Sequence, residues 1–281
     1  MNSFFAQMLH ASGGRPPIGT WLVSASHVIA EAVGCAGFDW AVIDMERGEV
    51  KDVLRLLQAL AATQTLPVVR VPSHDAVLVK RVLDAGGATV LLAHVASADA
   101  ARRAVAATRL GCASLQGDAA MTRASRYGTA PNGAARNPLA VIVEIASLQA
   151  IEQLDALAQV DGVDAFFLGV SDLAASLGHA GRADHPAVVE QLTRAVQRCK
   201  ALGKPIGVAA PSAPCAAQYR AAGFDFIAVA SDLGLMMSGA HSVMAALRTT
   251  GDARVHALAP WHANGNAPTA YPLKGSDDCA Q

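Results

Sequence analysis

Four apolar runs in this sequence end in charged side chains. The charged positions are Asp44–Met45–Glu46–Arg47, Arg70, Glu144 and Ser171–Asp172. Carboxylates beside guanidinium groups can bind an anionic substrate, stabilise the charge of a transition state or hold a divalent metal. If the runs are strands of a parallel sheet, their carboxyl ends meet at the edge where such proteins bind ligands. The pattern therefore predicts one shared site.

Asp44 and Glu46 are two residues apart, which places them on the same face of a strand. Arg47 follows directly. Two carboxylates beside a guanidinium can orient an anionic substrate or hold a metal. The alternative is a structural cluster of ion pairs.

Arg70 ends its run with a planar cation that can bind a carboxylate or an enolate through two parallel hydrogen bonds. A salt bridge to Asp44 or Glu46 is the alternative, and both interpretations can hold together. Glu144 lies within an apolar run, where an ionised carboxylate requires a cation or hydrogen bonds.

Ser171 and Asp172 lie between a predicted strand and a predicted helix. One of them can cap that helix. Alternatively, the backbone N–H groups there bind a substrate carboxylate, and Asp172 offers oxygen to a cation such as Mg²⁺. His94, at the end of another run, is either a hydrogen-bonded core residue or a general acid or base.

Eight strand-like runs alternate with helical patterns, and this order predicts an α/β fold, a (β/α)8 TIM barrel. The runs cover residues 18–24, 38–45, 66–71, 89–95, 139–145, 165–170, 205–210 and 224–230. The clearest helical patterns cover 50–62, 76–85, 99–108, 148–160 and 186–202. Glycines expected to end helices in the left-handed conformation are Gly37, Gly86, Gly203 and Gly223.

We expect one barrel domain with an N-terminal helix at residues 1–251 and a C-terminal tail at 252–281, flexible or packed on a neighbouring subunit. A long loop, 111–138, is expected to be functional. The formal net charge of -1 gives no reason to expect a nucleic acid or membrane partner. Five cysteines without paired spacing and a start unlike a signal peptide predict a cytoplasmic protein.

Several stretches resemble the HpcH/HpaI aldolase family, in order from about residue 17 to 250. They include Ile18–Gly19–Thr20–Trp21, Gly37–Phe38–Asp39–Trp40, Pro67–Val68–Val69–Arg70, Asp84–Ala85–Gly86 and Arg123–Ala124–Ser125–Arg126–Tyr127–Gly128. The resemblance implies a homo-oligomeric barrel enzyme. It also implies that a carbon–carbon bond of a small 2-oxo acid is made or cleaved through an enolate, with the help of a divalent metal.

Matched to the family's motifs, Arg70 is similar to the arginine that binds the substrate and stabilises the enolate. Asp172 resembles one of two metal-binding carboxylates, and Ser171 falls where the family's backbone meets the substrate carboxylate. Asp84 matches the aspartate that supports the family's catalytic histidine.

Two positions depart from the family's pattern. Arg47 stands where the family has its catalytic histidine, and an arginine cannot accept a proton at neutral pH. Ala146 stands where the second metal carboxylate is expected. Glu144, in the place of a family glutamine, faces the same side and is the candidate replacement ligand. A site for Mg²⁺ or Mn²⁺ is therefore expected but weakened.

Three functions are compatible with these residues. The first is aldol chemistry on pyruvate or oxaloacetate. The second is condensation of oxaloacetate with acetyl-CoA, as in the citrate synthases of siderophore pathways. Glu144 or His94 would then remove the proton, while Arg47 and Arg70 hold the oxaloacetate carboxylates. The third is a catalytically silent barrel that binds a dicarboxylate.

Overall fold

A computed structural model describes residues 3–48, 50–113, 121–129 and 139–249 of this chain. Eight parallel strands pair in chain order, and the last pairs with the first to close a barrel. The strands are β1 (Ile18–Leu22), β2 (Trp40–Asp44), β3 (Leu66–Val71), β4 (Thr89–Leu92), β5 (Ala140–Ile145), β6 (Ala165–Leu168), β7 (Ile206–Ala210) and β8 (Phe226–Ser231). The predicted (β/α)8 barrel is confirmed, and each strand lies within or one residue beyond its predicted run.

Helices connect the strands. They are α1 (Phe4–Ala11), α2 (His27–Cys35), α3 (Val50–Leu60), α4 (Ala76–Asp84), α5 (Ala98–Ala113), α6 (Leu148–Glu152), α7 (Leu154–Ala158), α8 (Val170–Ser176), α9 (Pro186–Ala201), α10 (Ala213–Ala222) and α11 (Asp232–Thr249). The single helix predicted over 148–160 is wrong, because Gln153 separates α6 from α7. All four glycines predicted to be left-handed have positive φ values.

The predicted loop 111–138 is wrong in part. Helix α5 continues to Ala113, and Arg123–Ser125 form a 3-10 helix. Residues 114–120 and 130–138 lie outside the described residues, as does the predicted tail at 252–281.

The barrel interior is packed by large side chains set against glycines. A Cβ at Gly19 would enter the ring of Trp40, and a Cβ at Gly207 would enter the ring of Phe226. Such alternation of large and absent side chains fills the interior of a small barrel. Phe5 of α1 packs edge-on against Phe226, the first residue of β8. The amino-terminal end of the barrel is thus filled, and a ligand site belongs at the other end.

A Gly-x-Asp repeat fixes the register of three strand pairs. The aspartates precede β2, β6 and β8, and each accepts a hydrogen bond from the N–H at the start of the preceding strand. The pairs are Asp39 with Ile18 at 2.7 Å, Asp164 with Val141 at 2.8 Å and Asp225 with Ile206 at 2.8 Å. The glycine two residues before each aspartate has a positive φ, so it ends the helix and turns the chain into the strand. The repeat is visible in the sequence and gives a signal for strand starts that does not depend on apolar periodicity.

Asp232, the first residue of α11, follows the last strand and connects it to the end of the first strand. Its buried carboxylate accepts hydrogen bonds from the N–H groups of Val23, at 3.0 Å, and Ser24, at 3.1 Å. Both donors directly follow β1. The ring closure by β1 and β8 is thereby reinforced at the carboxyl end of the barrel.

The chain divides into two compact units, Met1–Ser238 and Gly239–Gln281. The first contains the complete barrel. In the second, the described residues, 239–249, are helical. Over the described parts of both units, no helix is both long and apolar enough to cross a membrane.

Candidate active site

The strand ends bring together residues from five consecutive strands. Asp44 is the last residue of β2 and is in register with Arg70 of β3. Glu144 lies near the end of β5, His94 follows β4, and Asp172 lies in the first turn of α8, directly after β6. The sequence-based expectation that these side chains share one rim agrees with this placement.

Arg70 lies at the centre of this group. Its Nε donates to Glu144 Oε2 at 3.2 Å, and its Nη2 donates to Oε1 at 3.2 Å and to Oε2 at 3.1 Å. Its Nη1 lies 3.5 Å from Asp44 Oδ1 and forms an ion pair with Glu46. One buried guanidinium therefore binds three carboxylates. The salt bridges to Asp44 and Glu46 that the sequence allowed are both present.

Burial and neighbouring charges shift the ionisation of this pair. Burial raises the pKa of Glu144 and outweighs the lowering by Arg70, while Asp172 and Glu46 raise it further. Burial lowers the pKa of Arg70, but the charges of Glu144, Asp44 and Glu46 together raise it above its ordinary value. The guanidinium is therefore always charged, whereas Glu144 accepts a proton more readily than an exposed glutamate.

The fully ionised cluster carries more negative than positive charge. The carboxylates of Asp44, Glu46 and Glu144 pair with Arg70, and Asp44 also pairs with Arg47. A fourth carboxylate, Asp172, lies near Glu144. An anionic substrate entering such a site meets repulsion unless a further positive charge or a proton is present. This charge balance favours a site that takes up a cation together with its substrate.

A small space lies over Gly169. If residue 169 had a Cβ, that atom would lie 3.3 Å from Asp172 Oδ2, 3.3 Å from Glu144 Oε1 and 3.9 Å from the Cβ of Ala146. Two hard oxygen donors around an open space suit Mg²⁺ or Mn²⁺, which commonly use one or two protein carboxylates and complete their coordination with water and substrate. Ala146 adds a methyl group to this space and no ligand.

The two carboxylates fit a divalent metal that the substrate and water help to hold. Over the described residues, no group of three or more His, Cys, Asp and Glu side chains is arranged to bind a metal. The described residues therefore supply fewer metal ligands than a closed metal site does, in line with the weakened site expected from Ala146.

His94 occupies a turn instead of a strand. The predicted strand 89–95 is too long, because β4 ends at Leu92 and His94 has a left-handed backbone with φ 57°. Its side chain is 62% exposed, and its Nε2 lies 2.6 Å from Glu46 Oε1. The alternative that His94 is a core residue is therefore wrong.

Three predicted site residues lie at the margins. Arg47 is 72% exposed, with Nε 3.8 Å from Asp44 Oδ2. Asp84 ends α4 and forms an ion pair with Lys80 at 2.5 Å, and its buried Oδ1 has no hydrogen-bond partner among the described residues. Ser171 lines a neighbouring cavity.

The alternative that Ser171 or Asp172 caps helix α8 is wrong. The N-cap residue is Gly169, and no side chain makes the capping hydrogen bond. Asp172 is in the first turn of the helix, where its carboxylate is left to face the space over Gly169.

Trp21 is a site residue that the sequence analysis missed. The guanidinium carbon of Arg70 lies 5.4 Å from the centre of the Trp21 ring, a distance typical of a cation–π contact. Trp21 also lines a cavity of about 590 Å³ at the same rim, together with Val170, Ser171, Ala209, Val229, Ser231 and other residues. A tryptophan in an apolar run resembles a core residue. The available signal was its spacing from Gly19, which places both on the inner face of β1.

Comparison with known proteins assigns this arrangement to a family. The family model described as HpcH/HpaI aldolase/citrate lyase matches residues 17–257. The chain belongs to this family. The predicted family is thus confirmed, and of the two predicted enzyme classes, a carbon–carbon lyase or a condensing enzyme, the relatives support the aldolase-family lyase.

Relatives and solved structures agree with this membership. The chain is 42% identical over 236 residues to a 2-dehydro-3,6-dideoxy-6-sulfogluconate aldolase from Pseudomonas putida, covering 83% of this chain and 92% of that protein. It is 40% identical over 240 residues to a pyruvate aldolase from Rhizobium etli, with coverages of 84% and 94%.

A solved HpcH/HpaI aldolase/citrate lyase family protein from Burkholderia cenocepacia has a TM-score of 0.80 and 36% identity to this chain, covering 88% of this chain and 100% of that one. A solved citrate synthase has a TM-score of 0.71 at 21% identity, covering 90% of this chain and 100% of that one. The second likeness shows a shared fold.

Proposed function

We propose that this protein cleaves, reversibly, a carbon–carbon bond of a small 4-hydroxy-2-oxo acid and releases pyruvate or a related 2-oxo acid through its enolate. The observation that carries the proposal is the buried guanidinium of Arg70, which binds three carboxylates at the open rim of an aldolase-family barrel. The aldolase names of the relatives support the same reaction type.

Arg70 acts by exchanging partners. In the absence of substrate its fork binds Glu144, and a substrate carboxylate or enolate oxygen offers the same two-point geometry. Because the guanidinium remains charged and is held by Asp44 and Glu46, it stabilises negative charge on the substrate oxygen as the bond breaks. Ser171, on the adjacent cavity wall, contacts the substrate carboxylate, and Arg47 supplies a second cation at the rim.

Asp172 and Glu144 would hold Mg²⁺ or Mn²⁺ in the space over Gly169. The metal, when bound, polarises the 2-oxo group as a Lewis acid and offsets the excess negative charge of the cluster. Release of Glu144 from Arg70 on substrate binding frees its oxygens for this role.

The cavity beside Trp21 accepts the part of the substrate that leaves as the aldehyde. Its volume of about 590 Å³ is in the range of small-molecule sites, and its walls combine small apolar side chains with the hydroxyl groups of Ser171 and Ser231. Such walls suit a short aldehyde with few polar groups.

The test is release of pyruvate from a panel of 4-hydroxy-2-oxo acids, coupled to lactate dehydrogenase and NADH. We expect turnover that exhaustive chelation stops and that Mg²⁺ or Mn²⁺ restores. Failure to release a 2-oxo acid from any member of the panel, with either metal present, would contradict the proposal.

A second candidate is condensation of oxaloacetate with acetyl-CoA, as in citrate synthases of siderophore biosynthesis. It is favoured by Arg47 in the position of the family's base and by Ala146 in the position of a metal ligand. Release of free thiol from acetyl-CoA in the presence of oxaloacetate and a chelator would support it. Stabilisation by oxaloacetate without turnover would instead identify a silent dicarboxylate-binding barrel.

We also propose a cytoplasmic homo-oligomer. Helix α11 exposes Leu235, Met236 and Met237, large apolar side chains that a second copy would cover. Light scattering after gel filtration would measure the mass, and a monomer at micromolar concentration would contradict this part of the proposal.

A further inference from the structure

His94 and Glu46 form a pair that the proposed function leaves unused. His94 Nε2 lies 2.6 Å from Glu46 Oε1, and the other oxygen of Glu46 forms an ion pair with Arg70. One carboxylate group therefore connects the imidazole to the guanidinium that binds the substrate. An imidazole connected in this way to the substrate-binding guanidinium is a candidate for proton transfer.

The backbone at His94 adopts a conformation that residues other than glycine seldom use. Its φ is 57°, and such geometry in a non-glycine residue often marks a functional site. The preceding residue, Ala93, is held at both of its backbone groups. His74 Nε2 lies 2.7 Å from its carbonyl oxygen, and its N–H donates to the carbonyl of Val71. A carbonyl oxygen only accepts, so His74 donates here through a protonated Nε2.

The contact with Glu46 also selects the tautomer of His94. A carboxylate accepts a hydrogen bond, so the neutral form of the His94 ring carries its proton on Nε2 and has a lone pair on Nδ1. Within the described part of the chain, Nδ1 has no hydrogen-bond partner, and the side chain is 62% exposed. This nitrogen is therefore free to accept a proton from a bound substrate.

Other groups at the rim are less suited to this role. Arg47 cannot accept a proton at neutral pH, and Glu144, once released from Arg70, would be occupied as a ligand of the metal over Gly169. Asp44 is buried against the guanidinium of Arg70.

We propose that His94 is the general base of this enzyme and that Glu46 is the residue that positions it. The imidazole that the family places after β2 would thus be supplied from the end of β4. This inference rests on the proposed aldol chemistry and names the group that moves the proton.

In the cleavage direction, the O–H bond of the substrate's 4-hydroxyl breaks and its proton bonds to His94 Nδ1. The oxygen's electron pair forms the aldehyde C=O as the C3–C4 bond breaks. The electrons of that bond become the C2=C3 bond of the enolate, whose charge moves to the oxygen on C2, near Arg70. The imidazolium then returns the proton to C3, which yields the free 2-oxo acid and restores His94.

The test is exchange of the methyl protons of pyruvate in D₂O with Mg²⁺, followed by proton NMR. This step requires the base and Arg70 but no aldehyde. Two variants suit the backbone: His94→Asn, since asparagine tolerates a left-handed conformation, and His94→Gly, since glycine adopts it freely and leaves room for added imidazole. His10→Asn is the matched control, since His10 is an exposed residue of α1, the helix whose Phe5 packs at the amino-terminal end of the barrel.

We expect His94→Asn to lower the exchange rate about 10²-fold or more, with oxalate affinity within about threefold of the wild type. Added imidazole should raise the rate of His94→Gly about tenfold, which a purely structural histidine would not allow. Glu46→Gln should lower kcat for pyruvate release, and the factor by which kcat falls should be about ten times the factor by which oxalate affinity changes. His10→Asn should match the wild type.

Each other outcome decides against the proposal. If the wild type exchanges the protons and His94→Asn exchanges them at a rate within about threefold of the wild type, the role of His94 is overturned and the proposed function stands. Loss of oxalate binding in both His94 variants, or no rescue by imidazole, assigns His94 a structural role. A wild type that neither exchanges pyruvate protons nor cleaves the substrate panel overturns the proposed function itself.

Discussion

Arg70 and Glu144 form a two-point hydrogen-bonded pair between strands β3 and β5, which are separated by β4. Both side chains are buried, so each compensates a charge that would be costly to leave unpaired. A substrate that binds Arg70 must therefore replace Glu144 with an equally good partner. Small carboxylates and enolates meet that requirement, whereas neutral ligands do not.

Arg70→Lys is expected to lower kcat/KM for 2-oxo acid release by about 10²-fold or more. Lysine retains the positive charge but loses the fork that binds two oxygens at once. Steady-state kinetics with the coupled assay would measure the effect. Arg198→Lys is the matched control, since Arg198 forms an exposed ion pair with Asp155. A variant at position 70 with wild-type kcat/KM would show that the fork is not used.

Gly169→Ala is expected to impair catalysis while the barrel remains folded. The added Cβ would lie 3.3 Å from oxygens of both Asp172 and Glu144 and would occupy the space between them. Residue 169 has φ -84°, so alanine fits its backbone. Gly239→Ala, where a Cβ meets nothing within 4 Å, is the control. Equal Mn²⁺ affinity and activity in the two variants would argue against a ligand in this space.

Ala146→Glu is expected to tighten Mn²⁺ binding about tenfold or more, because a third carboxylate would join Asp172 and Glu144. Titration calorimetry would measure the affinity. Ala146→Gln has a similar size without the charge and should give a smaller gain. If neither substitution changes the affinity, the metal does not bind beside residue 146.

Asp164 should make stability depend on pH. Burial raises the pKa of Asp164 above its ordinary value, outweighing the hydrogen bond from Val141 and the charge of Lys204. The folded state then binds a proton more readily than the unfolded state. The free energy of unfolding therefore falls as pH rises from the ordinary aspartate range to the raised pKa, and stays lower above it.

Asp164→Asn keeps an oxygen for the N–H of Val141 and removes the titration. Its stability relative to the wild type should therefore improve as pH rises through the same window, as measured by urea unfolding at a series of pH values. Asp164→Ala should be about 1 kcal/mol less stable than Asp164→Asn at every pH, because neither variant titrates at this position and the N–H of Val141 loses its partner in the alanine variant. A difference between wild type and Asp164→Asn that is constant with pH would contradict the assigned shift.

The sequence was sufficient to predict the barrel because strand periodicity and helix-ending glycines repeat along its whole length. The run 66–71 coincides with β3, and Gly86 and Gly223 have the expected left-handed backbone. The largest error in a strand boundary is at the carboxyl end of β4, which was predicted to reach residue 95 and ends at Leu92. There an apolar residue such as Val95 continues the pattern although the ladder has ended, so apolarity alone places the boundary too late.

The shared rim could also be predicted, since the carboxyl ends of parallel strands all lie at one edge of the sheet. The pairing within it could not. Arg70 and Glu144 are 74 residues apart, and their contact depends on side-chain reach across β4. The contact of Glu46 with His94 depends on a left-handed turn that no periodicity encodes. By contrast, the ion pair of Lys80 with Asp84 follows directly from their spacing of four residues on a helix.

The carboxylate of Asp232 has a consequence for how the enzyme comes into being. It joins a segment made early on the ribosome to one made more than 200 residues later. Until that late segment has been made, β1 lacks the strand with which it closes the barrel. The rim at which Arg70 and its acidic partners meet is then incomplete. Catalytic competence is therefore among the last properties the growing polypeptide acquires.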